Sequence, residues 1–164
     1  MERLNDISLR AATAADIPII VALIQAAFKE YDGVIDPPSG AHKESATRIR
    51  EKLTHEHALL ALLSDQIAAC VFYRDEGDHI YFGRLAVLPA YRGRGIAGAL
   101  ISYVEARARE LGLPSVRLGV RVALPHLCAR YERLGYRVIE QRRHAGYAMT
   151  TYLVMEKTLE GTTR

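Results

Sequence analysis

The sequence lacks several features that would assign it to particular classes of protein. It contains only two cysteines, Cys70 and Cys128, which are far apart in apolar surroundings, so we expect buried free thiols and find no spacing that supports a metal site. No apolar run approaches the roughly 20 residues that cross a bilayer. The N-terminal residues, Met1 to Asp6, lack the apolar core of a signal peptide. We therefore expect a cytoplasmic protein with neither a metal nor a membrane partner.

Long runs of one charge are also missing. The 22 basic and 19 acidic residues give a net charge of +3, and the arginines are spread along the chain. A solvated surface of mixed charge explains this better than a nucleic-acid partner does. The length of 164 residues is ordinary for one domain, which we expect to span residues 1–164 with a frayed tail at 161–164.

The pattern of apolar residues predicts an alternation of strands and helices. Strands are predicted at residues 8–12, 57–63, 66–73, 80–87, 115–122, 136–140 and 152–156, and helices at 13–30, 41–53, 95–111 and 125–135. The two runs on either side of Ser64 and Asp65 indicate a hairpin. Residues 31–40 contain two glycines and the pair Pro37-Pro38, so they form a long loop, and such loops are often functional.

The most informative stretch joins the strand at 80–87 to the helix that follows it. A short turn and the segment Arg92-Gly93-Arg94-Gly95-Ile96-Ala97-Gly98 separate them. Glycines let the backbone approach a ligand closely, and the unpaired N–H groups at the start of a helix favour phosphate. Arg92 and Arg94 add positive charge. The segment therefore predicts an anion cradle.

A dinucleotide-binding crossover is one interpretation of this cradle. Gly93, Gly95 and Gly98 satisfy the pattern G-x-G-x-x-G. In that fold, however, the glycines follow the strand almost directly, and the next strand tends to end in an acid. Here a spacer containing Pro89 intervenes, and residues 115–122 contain no acid. Dinucleotide binding stays as the weaker alternative.

The segment from Leu85 to Ala97 resembles the pyrophosphate loop of the GNAT superfamily of acyl-CoA-dependent N-acyltransferases. That loop has the form Arg/Gln-x-x-Gly-x-Gly/Ala, and Arg92, Gly95 and Ala97 occupy its fixed positions. A second block, Tyr131-Glu132-Arg133-Leu134-Gly135-Tyr136, resembles the helix-to-strand segment that follows in the same family. The resemblance covers nearly the whole chain. It implies an α/β fold with a mixed sheet of about seven strands and roughly four helices packed on both faces.

The resemblance also implies a reaction and a cofactor site. The reaction transfers an acetyl group from acetyl-CoA to a primary amine of a small molecule or peptide, by direct attack on the thioester. The backbone from Arg92 through Gly93, Arg94, Gly95 and Ile96 to Ala97 would face the pyrophosphate. Leu85, Ala86 and Val87, on a strand that splays from its parallel neighbour, would offer backbone groups to the pantetheine arm. The same opening would place an N–H near the thioester oxygen.

By the same resemblance, Tyr131 is the general acid that protonates the departing thiolate. The alternative is that Tyr131 is a core residue, because Leu127, Tyr131 and Leu134 fall on one side of a helix. Family members commonly carry an asparagine seven residues before this tyrosine, where this sequence has Leu124.

The reaction also needs a general base. An alkyl ammonium has a pKa near ~10.4, so a base or a water chain must take its proton. The family often uses a glutamate or histidine on the strand before the phosphate turn, and this strand offers His79 and Tyr81 but no glutamate.

The acceptor site is expected between two loops, again by resemblance. Tyr31, Asp32, Asp36 and the proline pair are candidates for shaping it. The segment from Arg142 to Tyr147, which includes Arg143 and His144, either binds an acceptor carboxylate or is simply a solvated loop.

Two further alternatives concern function and assembly. Leu124 and the missing strand glutamate are compatible with a CoA-binding sensor or docking module that has no turnover. The apolar C-terminal strand could pair with the same strand of a second copy, which would give a homodimer.

Overall fold

The structure of the protein is a computed structural model that describes residues 6–160. The expectations for residues 1–5 and for a frayed tail at 161–164 lie outside this range. Among the described residues no helix is both long enough and apolar enough to span a bilayer.

The described chain is built around a sheet of seven strands in the order β1-β2-β3-β4-β5-β7-β6. The strands are β1 Ile7–Ala11, β2 His57–Leu63, β3 Gln66–Asp75, β4 Ile80–Val87, β5 Ser115–Arg121, β6 Arg137–Arg142 and β7 Tyr152–Thr158. All neighbouring pairs are antiparallel except β4 and β5, which run parallel. The predicted α/β class, mixed sheet and strand number are confirmed.

Helices cover both faces of the sheet. Between residues 6 and 160 there are four α-helices, α1 Ile17–Phe28, α2 Ala46–Lys52, α3 Ile96–Glu110 and α4 Pro125–Arg133. On one face, α1 and α2 pack on a core that includes Ile24, Ile49 and Phe72. On the other face, α3 packs on a core that includes Leu100 and Phe82, and α4 borders the same core. The expectation of roughly four helices on two faces is therefore confirmed.

The capping box predicted at the start of the first helix is present, but a 3-10 turn precedes the α-helix. The backbone N–H of Thr13 donates to the Asp16 carboxylate at 2.8 Å, and Arg10 of β1 donates to both oxygens of that carboxylate at 2.9 Å. A 3-10 turn at Ala14–Asp16 leads directly into α1. The Arg10 and Thr13 contacts hold the pKa of Asp16 well below its usual range.

The second helix differs from its prediction of residues 41–53. A 3-10 helix at Gly40–Lys43 comes first, Glu44 is extended, and α2 begins only after Ser45, whose Oγ accepts from the Arg48 N–H at 3.2 Å. At this break the buried Glu44 carboxylate pairs with Arg48, at 3.2 Å, and with Arg84, at 2.9 Å.

The expected pairing of the C-terminal strand with a second copy is wrong. Strand β7 lies between β5 and β6 and is hydrogen-bonded to both, so neither of its edges is open. The edge strand on this side is β6, whose residues are mostly exposed. The homodimer was expected to form through β7, and this strand has no free edge for such pairing.

Candidate active site

The site begins where β4 and β5 separate. Their parallel pairing consists of Ile80 with Val116 and Tyr81 with Arg117. Beyond Tyr81, β4 stays paired with β3 as far as Val87, while β5 stays paired with β7 as far as Arg121. The two halves of the sheet therefore diverge and open a wedge, as the resemblance implied. Backbone groups on the facing edges of both strands are left without a strand partner.

A β-bulge in β4 lies at the mouth of this wedge. The register with β3 shifts between Cys70 and Phe72, and Arg84 adopts a left-handed φ of 51°. The buried Cys70 thiol donates to the Arg84 carbonyl at 3.7 Å, and burial raises the pKa of this thiol to about 12. The bulge re-aims the backbone between Gly83 and Ala86 towards the opening. No local signal in the sequence predicts it.

The glycine turn has the geometry of an anion cradle. A 3-10 helix at Pro89–Tyr91 ends the strand, and Gly93 and Gly95 then adopt left-handed φ values of 78° and 81°. Gly95 is the N-cap of α3, and the first intrahelical bond joins the Ala99 N–H to the Gly95 carbonyl. The N–H groups that precede it cannot find partners within the helix and can serve a ligand.

The two arginines of the turn do not simply surround an anion. The Arg92 guanidinium donates to the Ala27 carbonyl at 3.0 Å and to the Val87 carbonyl at 3.3 Å, and it pairs with Glu30 at 2.8 Å. Arg92 thus ties the turn to the end of α1. Arg94 lies over the Tyr91 ring and is not among the residues that line the cleft. Backbone groups, more than side chains, form the cradle.

The wedge, the turn and two loops enclose a cleft of about 790 Å³. We call the part next to α3 and α4 the turn side; it is lined by Leu85, Val87, Gly93, Gly95, Ile96, Ala97, Leu124 and Tyr131. We call the part beneath the α1–α2 loop the loop side; it is lined by Ile35, Gly40, Tyr81, Arg84, Gly119, Arg121, His144 and Tyr152. Leu118 and Val120 belong to the α3 core, so by alternation Gly119 and Arg121 face the loop side.

Tyr131 both packs and faces the cleft. Its ring lies 6.2 Å from that of Phe82 and 6.0 Å from that of Tyr136, and it also lines the turn side. Burial raises the pKa of Tyr131 to about 12, so the hydroxyl stays protonated at neutral pH. Tyr31 lines the same cleft, and burial raises its pKa as well. Leu124, at the position of the family asparagine, is the buried N-cap residue of α4.

The two candidate bases on β4 have different positions. His79 precedes the strand, contacts the Asp78 carboxylate at 2.6 Å and does not line the cleft. Tyr81 does line it, with the Arg74 guanidinium 4.4 Å from its ring. The Tyr81 hydroxyl reaches across the wedge, and a Cβ added to Gly119 would lie 2.8 Å from it. Gly119 therefore leaves room for this hydroxyl, and burial raises the pKa of Tyr81.

Two loops meet over the loop side. Asp36 does not line the cleft, but its carboxylate accepts a hydrogen bond from the Tyr147 hydroxyl at 2.5 Å. Arg121 donates to the Pro37 carbonyl at 2.6 Å. The α1–α2 loop is thus joined to the β6–β7 loop and to the end of β5.

His144 enters the loop side from the β6–β7 loop. Its Nδ1 lies 2.5 Å from the Thr151 hydroxyl, and its ring centroid lies 5.0 Å from that of Tyr152. Burial and the nearby Arg121 lower the pKa of His144. The imidazole is therefore neutral at pH 7 and can accept a proton.

The arginines that reach the loop side are not those of the loop sequence. Arg142 pairs with Glu140, Arg143 donates to the Tyr147 carbonyl, and neither lines the cleft. Arg84 and Arg121 occupy the cleft instead. The sequence gives one signal for them, which is the presence of arginines inside otherwise apolar strands.

Comparisons with known proteins agree with this geometry. The family model described as the acetyltransferase (GNAT) family matches residues 22–136. An acetyltransferase from Pectobacterium atrosepticum is 34% identical over 94 residues, which are 56% of this chain and 67% of that protein. The matched segment therefore spans about two thirds of that relative.

Solved structures share the fold. The PaiA N-acetyltransferase of Thermoplasma acidophilum, solved in complex with coenzyme A, has a TM-score of 0.79 at 17% identity and covers 93% of this chain and 99% of its own. A GNAT family acetyltransferase from Elizabethkingia anophelis with acetyl-CoA bound has a TM-score of 0.69 at 19% identity. The match covers 94% of this chain and 99% of that protein's chain. At these identities the likeness concerns the fold. Together with the match of the family model, it shows that the chain belongs to the GNAT acetyltransferase family.

Proposed function

We propose that the protein transfers the acetyl group of acetyl-CoA to a primary amine by direct attack on the thioester. The observation that carries the proposal is the wedge between β4 and β5, which opens beside the left-handed glycine turn at the start of α3. The wedge offers unpaired strand backbone to an extended chain, and the turn offers N–H groups to a pyrophosphate. Two solved structures of this fold hold CoA or acetyl-CoA.

The chain can hold such a cosubstrate largely through backbone groups. The N–H groups from Gly93 to Ala97 and the positive end of the α3 dipole would bind the pyrophosphate. Leu85, Ala86 and Val87 would bind the pantetheine arm. The bulge at Arg84 frees part of the β4 backbone from its ladder, and an N–H there would stabilise the negative charge that develops on the thioester oxygen.

The proton balance of the reaction assigns a role to Tyr131. When bound, acetyl-CoA supplies an activated acyl group: an amide C–N bond forms, the C–S bond breaks, and the amine gives up a proton while the thiolate takes one. The Tyr131 hydroxyl, whose pKa burial raises to about 12, is protonated at neutral pH and lines the turn side, from which it would donate to the sulfur. Tyr131 therefore acts as the general acid in this proposal.

Removal of the proton from the amine falls to the loop side. His144 is neutral because its pKa is lowered, and the Thr151 contact at Nδ1 leaves Nε2 for other partners. Tyr81 stays protonated and would orient a water or the acceptor. We assign the general base to His144, acting directly or through water, in preference to His79, which lies outside the cleft.

The experiment that tests the proposal has two stages. The thermal stability of the protein is first measured with acetyl-CoA and with NAD, since a ligand at a hundredfold excess over its dissociation constant stabilises by roughly 2.7 kcal/mol. A panel of amines is then screened for thiol release. We expect stabilisation by acetyl-CoA alone and amine-dependent thiol release. Stabilisation by NAD instead would favour the dinucleotide alternative, and stabilisation by acetyl-CoA without turnover of any amine would favour a CoA-binding sensor.

A further inference from the structure

The loop side of the cleft has more positive than negative charge. Arg84 and Arg121 line it, and Lys52 and Arg74 line the same cleft, whose lining carboxylates are Glu30, paired with Arg92, and Glu56. Glu56 contacts both Lys52, at 2.8 Å, and Arg74, at 3.5 Å. An acceptor with several positive charges would be repelled here, whereas an acceptor with a negative group would be attracted.

Arg121 is the cation with the least compensation. Its guanidinium donates to the carbonyls of Pro37, at 2.6 Å, and Pro38, at 3.4 Å, and within residues 6–160 no carboxylate forms an ion pair with it. The nearby Asp36 carboxylate is already bonded to Tyr147. Burial and the proximity of Arg84 lower the pKa of Arg121, which means that its positive charge is held at a cost. An anion placed between the two guanidinium groups would relieve that cost.

Arg84 is held in a fixed position next to the reacting strand. Its Nε donates to the Glu44 carboxylate at 2.9 Å, and the Glu44 side chain is only 3% exposed. A Cβ added to Gly40 would lie 2.7 Å from Nη2 of Arg84, so the absence of a side chain at Gly40 makes room for the guanidinium. Since Glu44 occupies Nε, the terminal nitrogens are left to face a ligand in the cleft.

The closure of the loop side limits the size of the acceptor. The Tyr147–Asp36 hydrogen bond and the Arg121–Pro37 hydrogen bond join two loops and β5 above Arg84. The cleft of about 790 Å³ must also admit the pantetheine arm. A small molecule fits this arrangement better than the terminus of a folded protein does.

We propose that the acceptor is a small amine that carries a carboxylate, and that Arg121 and Arg84 bind this carboxylate on the loop side of the cleft. The inference rests on the proposed N-acetyltransfer. Arginine is suited to this role because its planar fork matches a carboxylate. The pair would orient the amine towards the opening beside the bulge, and it would exclude polyamines and amines that lack an anionic group.

The test compares matched amines with and without the carboxylate. The common α-amino acids are assayed with acetyl-CoA beside their carboxamides and their decarboxylated amines, on the full chain and on the variants Arg121→Gln and Arg121→Lys. For the best amino acid we expect kcat/KM to exceed that of its carboxamide at least about tenfold. In Arg121→Gln the ratio of kcat/KM for the acid to kcat/KM for the carboxamide should fall to about one, because KM rises for the acid alone. Arg121→Lys should keep part of this preference.

A control variant and a measurement of binding accompany this assay. Arg137→Gln removes an exposed arginine of β6 away from the cleft and should leave the preference unchanged. Thermal shifts with CoA plus the N-acetyl amino acid, or plus its carboxamide, report binding without turnover, and acetyl-CoA alone reports whether each variant still folds and binds the cosubstrate. Equal use or binding of acids and carboxamides by the full chain, or an equal loss of both in Arg121→Gln, would overturn the inference. If the proposed function itself is wrong, acetyl-CoA should not raise the thermal stability of the full chain.

Discussion

The two sides of the cleft are built in different ways. On the turn side, consecutive residues from Gly93 to Ala97 supply backbone N–H groups at the start of one helix. On the loop side, Tyr81, Arg84, Arg121 and His144 supply side chains from β4, β5 and a loop that lie far apart in the sequence. A site made of local backbone needs particular residues at fixed spacing and therefore leaves a motif. A site made of distant side chains leaves none.

The difference also separates what the two sides do. Every acyl-CoA carries the same pyrophosphate, so the turn side can serve the whole family with one geometry. In the proposed reaction the loop side must fit the acceptor, and its charges and the contacts between its loops would define that acceptor. Substitutions on the turn side should therefore affect the cosubstrate, and those on the loop side should affect the amine.

The largest effect on cosubstrate binding is expected for Gly95→Ala. Gly95 holds a left-handed φ of 81° at the N-cap of α3, a conformation that costs an ordinary residue roughly 1–3 kcal/mol. A change of this φ would also move the N–H groups that are proposed to bind the pyrophosphate. We expect binding of acetyl-CoA to weaken by about 10²-fold or more, seen as the loss of thermal stabilisation by acetyl-CoA.

Gly98→Ala is the matched control for that substitution. Gly98 lies inside α3, and a Cβ added there meets no atom within 4 Å. Gly98 is in the first turn of α3, where alanine is favoured over glycine by up to about 1 kcal/mol, so this variant should be no less stable and should still bind acetyl-CoA. If Gly98→Ala abolished binding as fully as Gly95→Ala, the third glycine of G-x-G-x-x-G would be functional, and the dinucleotide alternative would gain support.

Tyr131→Phe should reduce turnover without affecting binding. The ring keeps its contacts with Phe82 and Tyr136, while the proton donor is lost. We expect kcat to fall by about 10³-fold, which is within the usual range for general acid catalysis. The thermal stabilisation by acetyl-CoA should be unchanged. An unchanged kcat would make Tyr131 a packing residue and would contradict its role as the general acid.

Tyr136→Phe, in the same sequence block as Tyr131, should reduce stability but not turnover. The buried Tyr136 hydroxyl donates to Glu105 at 2.8 Å, and Lys157 contacts the other oxygen of that carboxylate at 3.1 Å. Its removal should lower the free energy of unfolding by about 1–3 kcal/mol, because a buried acceptor loses a partner, and should leave kcat largely unchanged. Denaturant unfolding and steady-state rates distinguish the two tyrosines.

The sequence could predict the fold and the turn side because both depend on local patterns. The spacing of apolar residues along the chain indicates the strands and helices. The left-handed residues of the turn, Gly93 and Gly95, are glycines that can be recognised in the sequence. The partner of Arg92 could not be predicted, since the Ala27 carbonyl lies 65 residues away. Nor could the break before α2, because Glu44 turns inward to meet Arg84 at a separation of 40 residues.

The residues predicted for the general base and the acceptor site show the same limit. His79 and Tyr81 were both predicted from one strand, yet only Tyr81 lines the cleft, because His79 belongs to the turn before β4 and contacts Asp78. The loop arginines Arg142 and Arg143 were plausible from their position alone. Which arginine reaches the cleft depends on the splaying of β4 from β5, which residue spacing does not encode.

The pH dependence of the reaction can compare the two histidines. Since burial and Arg121 lower the pKa of His144, kcat/KM should rise with pH through an apparent pKa below about 6.5 as the imidazole loses its proton, and then level off. His144→Gln should lower kcat/KM by about 10²-fold and remove this acidic limb. His79→Gln is the control and should leave the profile unchanged. A retained limb in His144→Gln would assign the titration to another group.

The smallest effect is expected where the two loops meet. Tyr147→Phe removes the hydrogen bond to Asp36 but keeps the ring, and it leaves the Arg121–Pro37 contact in place. Because the bond is at the surface, we expect KM for the amine to rise by only about threefold, with kcat and the acetyl-CoA shift unchanged. Asp36→Asn should give a smaller rise, since an amide oxygen can still accept from Tyr147, although it carries no charge. A change in acetyl-CoA binding in either variant would mean that the loop contact also holds the cosubstrate, and the separation between the turn side and the loop side would then be incomplete.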